Sequence, residues 1–191
     1  MNADIDKTAM RSWPLRLAHH SDVAALEALI PLSVRSLQAA HYSTRQMDAA
    51  LGTVFGVDRQ LIRDATYFVA ESEGQIVGCG GWSKRRSLFG SDRGRDGDDP
   101  ELDPARDAAR VRAFFVHPAW ARNGIGRAIM AACESEIAAA GFRRVDIVAT
   151  LTGEPLYASF GYVATSREQV ALTGGLFLPV VRMTRNIGSG T

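Results

Sequence analysis

Phe114-Phe115-Val116-His117-Pro118-Ala119-Trp120-Ala121-Arg122-Asn123-Gly124-Ile125-Gly126-Arg127-Ala128 decides how this chain is read. Strand formers run into Pro118, which stops the strand, and two glycines then open a helix predicted from about Gly124 to Ala140. Apolar residues at Ile125, Ile129, Cys133 and Ile137 share one face at fourfold spacing, and Gly141 ends the helix. The glycines let backbone approach a ligand closely, and the amides of a first helical turn point outward unpaired. Such amides, with the positive end of the helix dipole behind them, bind phosphate oxygens. Arg122 and Arg127 add local cations suited to a diphosphate. A Gly-x-Gly at a helix start also serves close packing of helix on strand, so the turn alone leaves both readings open. It lacks the Gly-Lys-Ser/Thr ending of a P-loop. No acidic residue ends a second strand at the spacing of a dinucleotide fold.

Outward from this unit the chain alternates strands and helices. Toward the N-terminus, Tyr67 to Glu71 and Gln75 to Trp82 read as a hairpin around Ser72, Glu73 and Gly74. Before it, Leu15 to Ala18 reads as a short strand. A helix follows through Val23, Leu26, Leu29 and Ile30, with Ser21 as its expected N-cap and Pro31 as its expected break or kink. Leu32 to Asp64 is expected as interrupted helix, with Thr44 as a cap before Met47. Val111 to Val116 is the strand before the glycine turn. Past the long helix come a strand at Arg144 to Ala149, a short helix at Pro155 to Phe160, and strands near Tyr162 to Ala171 and Phe177 to Met183. Residues 84–107, rich in Gly, Asp, Arg and Pro, are expected as a long mobile loop, either a solvated excursion or a substrate lid. One domain over residues 13–186 is expected, with flexible ends at 1–12 and 187–191.

Composition narrows the function. The 191 residues suffice for a substantial core, and a net charge of +1 offers no global attraction to nucleic acid or an anionic membrane. No segment is apolar over the ~18 residues of a membrane span, and the polar start from Met1 to Ser12 lacks the apolar stretch of a signal peptide. Cys79 and Cys133 lie in apolar surroundings without metal or disulfide spacing, and the four histidines suggest no metal site. A cytoplasmic protein without a metal is expected.

A strand, Val-x-Pro, and then x-x-Gly-x-Gly opening a long helix resembles the acetyl-CoA-binding motif of the GNAT superfamily of N-acetyltransferases. About thirty residues downstream, Leu156-Tyr157-Ala158-Ser159-Phe160-Gly161-Tyr162 resembles that family's Leu-Tyr-x-x-x-Gly-Phe/Tyr signature. The two motifs stand in the family's order, and the element order from Leu15 to Met183 matches it. The resemblance implies a mixed α/β fold with a mostly antiparallel, centrally splayed sheet flanked by helices. It also implies acetyl-CoA as acyl donor, held by Phe115, Val116, Arg122, Asn123, Gly124, Ile125, Gly126, Arg127 and Ala128. Two positions differ from the family pattern: Ala121 stands where Arg or Gln is frequent, and Thr150 where many members carry Asn.

The implied chemistry is direct attack by a neutral amine on the thioester carbonyl. The amide of Val116 is the candidate carbonyl donor, and Tyr157 the candidate acid toward the departing thiolate, a packing role for its ring being the alternative. Many relatives carry a Glu in the fourth strand where this chain has Arg112, which cannot act as a base. That leaves a water chain or a carboxylate among Asp107, Glu71 and Glu154. Arg112 suits an acceptor carboxylate or a structural ion pair. His41, Tyr42 and Trp82 are candidate acceptor contacts, with surface or core roles as the alternatives. The acceptor is expected to be a small-molecule amine, with a peptide or protein amine as the alternative. A non-catalytic acyl-CoA-binding module and a binder of another nucleotide phosphate are the competing classes. Dimerisation is common among relatives, and Phe177 to Val181 is the candidate interface for a homodimer.

Overall fold

The structure is a computed structural model that describes residues 13–88 and 99–188. Its strands are β1 (Leu15–Leu17), β2 (Tyr67–Ser72), β3 (Gln75–Ser83), β4 (Ala109–Val116), β5 (Arg144–Thr150), β6 (Val163–Ala171) and β7 (Phe177–Asn186). Its helices are α1 (Val23–Leu37), α2 (Thr44–Ala50), α3 (Arg59–Arg63), α4 (Ile125–Ala139) and α5 (Glu154–Ala158). The strands form one seven-stranded sheet in the order β1-β2-β3-β4-β5-β7-β6. Every neighbouring pair is antiparallel except β4 with β5. The expected mixed, mostly antiparallel sheet flanked by helices is what the chain forms.

Each face of the sheet buries its own apolar layer. On one face the fourfold stripe of α4, from Ile125 to Ile137, packs with Trp82, Val111 and Ile147. On the other, Leu26, Ile30 and Val34 of α1 and Leu61 of α3 pack with Tyr67, Val69, Cys79 and Phe115. The β2–β3 turn uses Glu73 and Gly74 at φ 53° and 75°, the left-handed pair that suits a two-residue hairpin.

Between these layers β4 carries a bulge. Cys79 pairs with Phe115 and Gly81 with Arg112, so Ala113 and Phe114 together oppose Gly80 alone. Ala113 is left-handed at φ 62°, unusual for a residue with a side chain. Its carbonyl accepts a hydrogen bond at 3.2 Å from the hydroxyl of Tyr67, a side chain with no exposed surface. The Sγ of Cys79 lies 3.3 Å from the same hydroxyl, and burial pushes that thiol up to about 12, so it stays protonated. Parallel pairing of β4 with β5 covers Ala109, Arg110 and Val111 and stops there. From the bulge onward the two strands part, and the sheet splits at its centre.

Several local expectations need correcting. Ser21 lies in a 3-10 turn (His20–Asp22) that precedes α1, and the Asp22 carboxylate accepts from the His19 amide at 2.7 Å, which leaves Ser21 no capping role. Pro31 lies inside α1, which continues to Leu37. Burial of Ile30, Ser33 and Val34 on the sheet outweighs the backbone hydrogen bond that proline removes. Ser43, not Thr44, caps α2: its side chain accepts from the Gln46 amide while Gln46 Oε1 accepts from the Ser43 amide. The ends of the 84–107 segment are tied down. Leu102 donates to the Lys84 carbonyl at 2.7 Å, Arg86 to that of Pro100 at 3.1 Å, and Arg85 pairs with Asp64 at 2.7 Å. The centre of the expected lid, residues 89–98, lies outside the described residues, as do 1–12 and 189–191. Ile187 is buried and donates to the Arg143 carbonyl at 2.8 Å, so the tail is docked at least to that point. The candidate interface strand β7 is paired on both sides, with Leu178, Val180 and Val181 buried within the chain and Phe177 exposed, which neither supports nor opposes a role in a dimer. No helix among the described residues is long and apolar enough to cross a membrane.

The bulge makes a stability prediction. Ala113→Gly, which removes the strain of a left-handed alanine, should hold or raise the urea midpoint, and Ala113→Val should lower stability by about 1–3 kcal/mol. Tyr67→Phe, which removes the donor to the part-buried Ala113 carbonyl, should cost about 0.5–1.5 kcal/mol with an unchanged urea slope.

Candidate active site

The turn between β4 and α4 is built as a receptor for an anion. Arg122 and Gly124 are both left-handed, at φ 65° and 87°, which bends the chain into the helix start. The first helical bond of α4 runs from Ala128 to the Gly124 carbonyl at 2.9 Å. The amides of Gly124, Ile125, Gly126 and Arg127 therefore precede the helical ladder, and they donate to no group among the described residues. A Cβ on Gly126 would sit 3.1 Å from Leu156 Cδ2, so this glycine lets α5 press against the turn. Arg127 reaches the same way, donating to Ser159 Oγ at 3.1 Å with its guanidinium 5.2 Å from the centre of the Phe160 ring. The two sequence motifs thus touch. Trp13 braces the turn from outside: its indole donates to the Asn123 carbonyl at 2.7 Å, and its ring stands edge-on to Trp120.

Where β4 and β5 part there is a cavity of about 80 Å³. Bulge residues Arg112, Ala113, Phe114 and Phe115 line it on one side and Val148 and Thr150 of β5 on the other, with Gln38, Tyr157 and Leu178 around them. Tyr157 is 6% exposed and its ring meets the edges of Phe114 and Tyr162. Its hydroxyl makes no hydrogen bond among the described residues. Burial raises its pKa, and nearby Cys133 adds to the shift, so the phenol keeps its proton well above neutral pH. The amide of Val116 points away from β3 and donates to Ser33 Oγ of α1 at 3.1 Å.

Of the four acceptor candidates only Arg112 lines the cavity. Its Nε lies 2.9 Å from Asp58 Oδ2 and its Nη1 donates to the Ser87 carbonyl at 2.7 Å. This buried ion pair, 3% and 0% exposed in its side chains, is the structural alternative named for that residue. Trp82 is in the core beneath α4, edge-on to Phe142, on the other side of the sheet from α1–α3. His41 is exposed on the α1–α2 connection. Tyr42 is buried, and its hydroxyl donates to the Pro179 carbonyl at 2.7 Å and accepts from the Leu151 amide at 2.9 Å, a tie between β5 and β7. None of the candidate bases lines the cavity. Glu71 pairs with Arg16, Glu154 with Arg167 at 2.9 Å, and Asp107 accepts from the Asp103 amide at 2.8 Å. Sequence reasoning missed Gln38, Ser33 and Trp13. No motif marks them, because each meets the site only through contacts distant in sequence.

Comparisons with known proteins agree with this arrangement. An acetyltransferase (GNAT) domain profile matches residues 55–181, while a search of curated proteins finds no match. A GCN5-related N-acetyltransferase from Rhodopseudomonas palustris shares the fold with a TM-score of 0.69 at 22% identity, covering 93% of this chain and 98% of that one. A phosphinothricin acetyltransferase from Sinorhizobium meliloti, in complex with AcCoA, gives a TM-score of 0.63 at 20% identity over 94% and 91%. PaiA N-acetyltransferase from Thermoplasma acidophilum, in complex with coenzyme A, gives 0.63 at 12% identity over 92% and 99%. With its split sheet, its glycine turn and a profile match over most of its length, the chain belongs to the GNAT acetyltransferase family.

Proposed function

We propose that this protein is an N-acetyltransferase that uses acetyl-CoA to acetylate the primary amine of a small molecule by direct attack. One observation carries this reading: α5 touches both halves of the site. Its Leu156 packs against Gly126 of the anion-receiving turn while the adjacent Tyr157 lines the cavity opened by the bulge. A diphosphate held at the turn and a reacting group in the cavity are then bridged by β4 itself.

The unpaired amides and glycine cradle fit the diphosphate of coenzyme A, and acetyl-CoA, when bound, supplies an acyl group activated as a thioester. The amides of Gly124 to Arg127 and the Arg122 side chain hold the diphosphate. Asn123 and Ala128 complete the turn around it, and Phe115 and Val116 present backbone groups to the pantetheine arm. Val116 serves as carbonyl donor once Ser33 Oγ gives up its amide. Tyr157, kept neutral by burial, hands a proton to the departing sulfur. The non-catalytic reading has one observation in its favour, that no carboxylate lines the cavity among the described residues.

Replacing Tyr157 tests the choice. In Tyr157→Phe, kcat for amine-dependent thiol release should fall about 100-fold or more, with acetyl-CoA affinity by calorimetry within about twofold of native, since the affinity is carried by the turn. An unchanged kcat removes Tyr157 as the acid, and a native protein without turnover supports the binding module. Because its folded pKa is raised, the acid form of Tyr157 persists as pH rises, so native kcat should not decline between about pH 7 and 10.

A further inference from the structure

We propose that the acceptor is a small primary amine with an uncharged, apolar body, taken up as the free base, and that the side-chain amide of Gln38 is the hydrogen-bond partner of its nitrogen. This rests on the N-acetyltransfer reading above and adds the substrate class.

The lining of the cavity carries it. Four residues with polar side chains line the cavity, Gln38, Arg112, Thr150 and Tyr157, among otherwise apolar or glycine neighbours. Three of them have other work. Arg112 is paired with Asp58 and bonded to the Ser87 carbonyl, Thr150 Oγ1 accepts from the Gly153 amide at 3.1 Å, and Tyr157 serves the sulfur. Gln38 remains. It closes α1 and is 7% exposed, and its Oε1 is buried without a partner. Buried polar atoms are paired in the great majority of folded structures, so the unpaired amide oxygen of a residue that lines the cavity marks that side chain as the partner for a ligand donor. An amine N–H is such a donor.

The electrostatics select the form of the amine. An ammonium here would lose its water and find no carboxylate among the described lining residues, since the Asp58 and Asp99 carboxylates lie behind the wall at 2.9 and 4.0 Å from the Arg112 guanidinium. Desolvation of that kind disfavours the charged form, so the amine arrives neutral and nucleophilic without a protein base. The proton count then closes within the site. The C–N bond forms as the C–S bond breaks, Tyr157 gives its proton to sulfur, and the proton shed by nitrogen returns to Tyr157. A carboxylate or second ammonium on the acceptor would have to be buried in the same apolar lining, which is unfavourable. The small volume, about 80 Å³ against the ~300 Å³ and more of drug-sized sites, admits a short chain rather than a protein segment.

Butylamine, 4-aminobutyrate and 1,4-diaminobutane share a four-carbon chain and differ in the charge at its far end, and so test the proposal on the native protein with acetyl-CoA. Thiol release should give butylamine a kcat/KM at least about 50-fold above either of the others. Calorimetry on protein saturated with coenzyme A, which has no acyl group to transfer, should rank the three in the same order. Gln38→Met should raise KM for butylamine about tenfold with acetyl-CoA affinity unchanged, the loss expected for one hydrogen bond to a neutral group. Turnover of either charged amine within about threefold of butylamine, or of a peptide N-terminus alone, overturns the proposal and leaves N-acetyltransfer standing. Thiol release with none of them, despite bound acetyl-CoA, overturns both.

Discussion

The hydrogen bond from Tyr67 to the carbonyl of Ala113 is the contact on which the rest of the site depends. A left-handed residue in the middle of a strand turns its peptide out of the ladder, and the part-buried carbonyl of Ala113, turned that way, takes a side-chain donor. Tyr67, reaching across from β2, supplies it. Once that peptide is held off the ladder, β4 cannot stay beside β5 past Val111, and the parallel pairing ends after three residue pairs. On the far side, the hydroxyl of Tyr42 ties Leu151 to Pro179, so the β5 edge of the split is held as firmly as the β4 edge. The cavity is therefore a gap in the sheet flanked by the hydrogen bonds of two buried tyrosines.

The buried ion pair of Asp58 and Arg112 shapes the chemistry of that gap. Asp58 uses one carboxylate oxygen to cap α3 through the amides of Gln60 and Leu61 and turns the other to Arg112. Pairing of this kind seldom adds much net stability, since desolvation offsets attraction. Its effect here is to replace an ionisable base with a neutralised pair at the cavity wall. Arg112 is also bonded to the Ser87 carbonyl, so the same side chain anchors the segment that leaves β3. In the proposed reaction such a site would rely on desolvation and hydrogen bonding to prepare the nucleophile.

Local features were legible in the sequence and long-range ones were not. The glycine turn, the stripe of α4 and the hairpin at Glu73 and Gly74 each depend on residues within a few positions of one another, and the structure shows all three as expected. The side on which Trp82 lies was not legible. Residues Val77 to Ser83 of β3 are buried throughout, because helices cover both faces of the sheet, and a strand buried on both faces has no alternation to read. Gln38 escaped notice because it ends a helix at no recognisable motif and becomes significant only where the split in the sheet meets it. Ser33 is similar: a serine on the buried face of a helix gives no hint that a strand amide waits opposite. Pro31 does not end α1, because a rule about local backbone competes with the tertiary burial of its neighbours, and burial won.

In the proposed reaction the turn before α4 holds the diphosphate of an acyl carrier while the split in the sheet holds its reactive end. Calorimetric titration of the native protein with acetyl-CoA and with acetylpantetheine, which lacks the nucleotide and diphosphate, tests this most directly. Saturable binding of acetyl-CoA is expected, with at least about 100-fold weaker binding of acetylpantetheine, the loss that follows when charged hydrogen bonds at a helix start are removed. Equal affinity for the two would contradict the placement of the diphosphate at this turn. No binding of acetyl-CoA, with tight binding of another nucleotide in its place, would rule out acyl transfer from coenzyme A at this site.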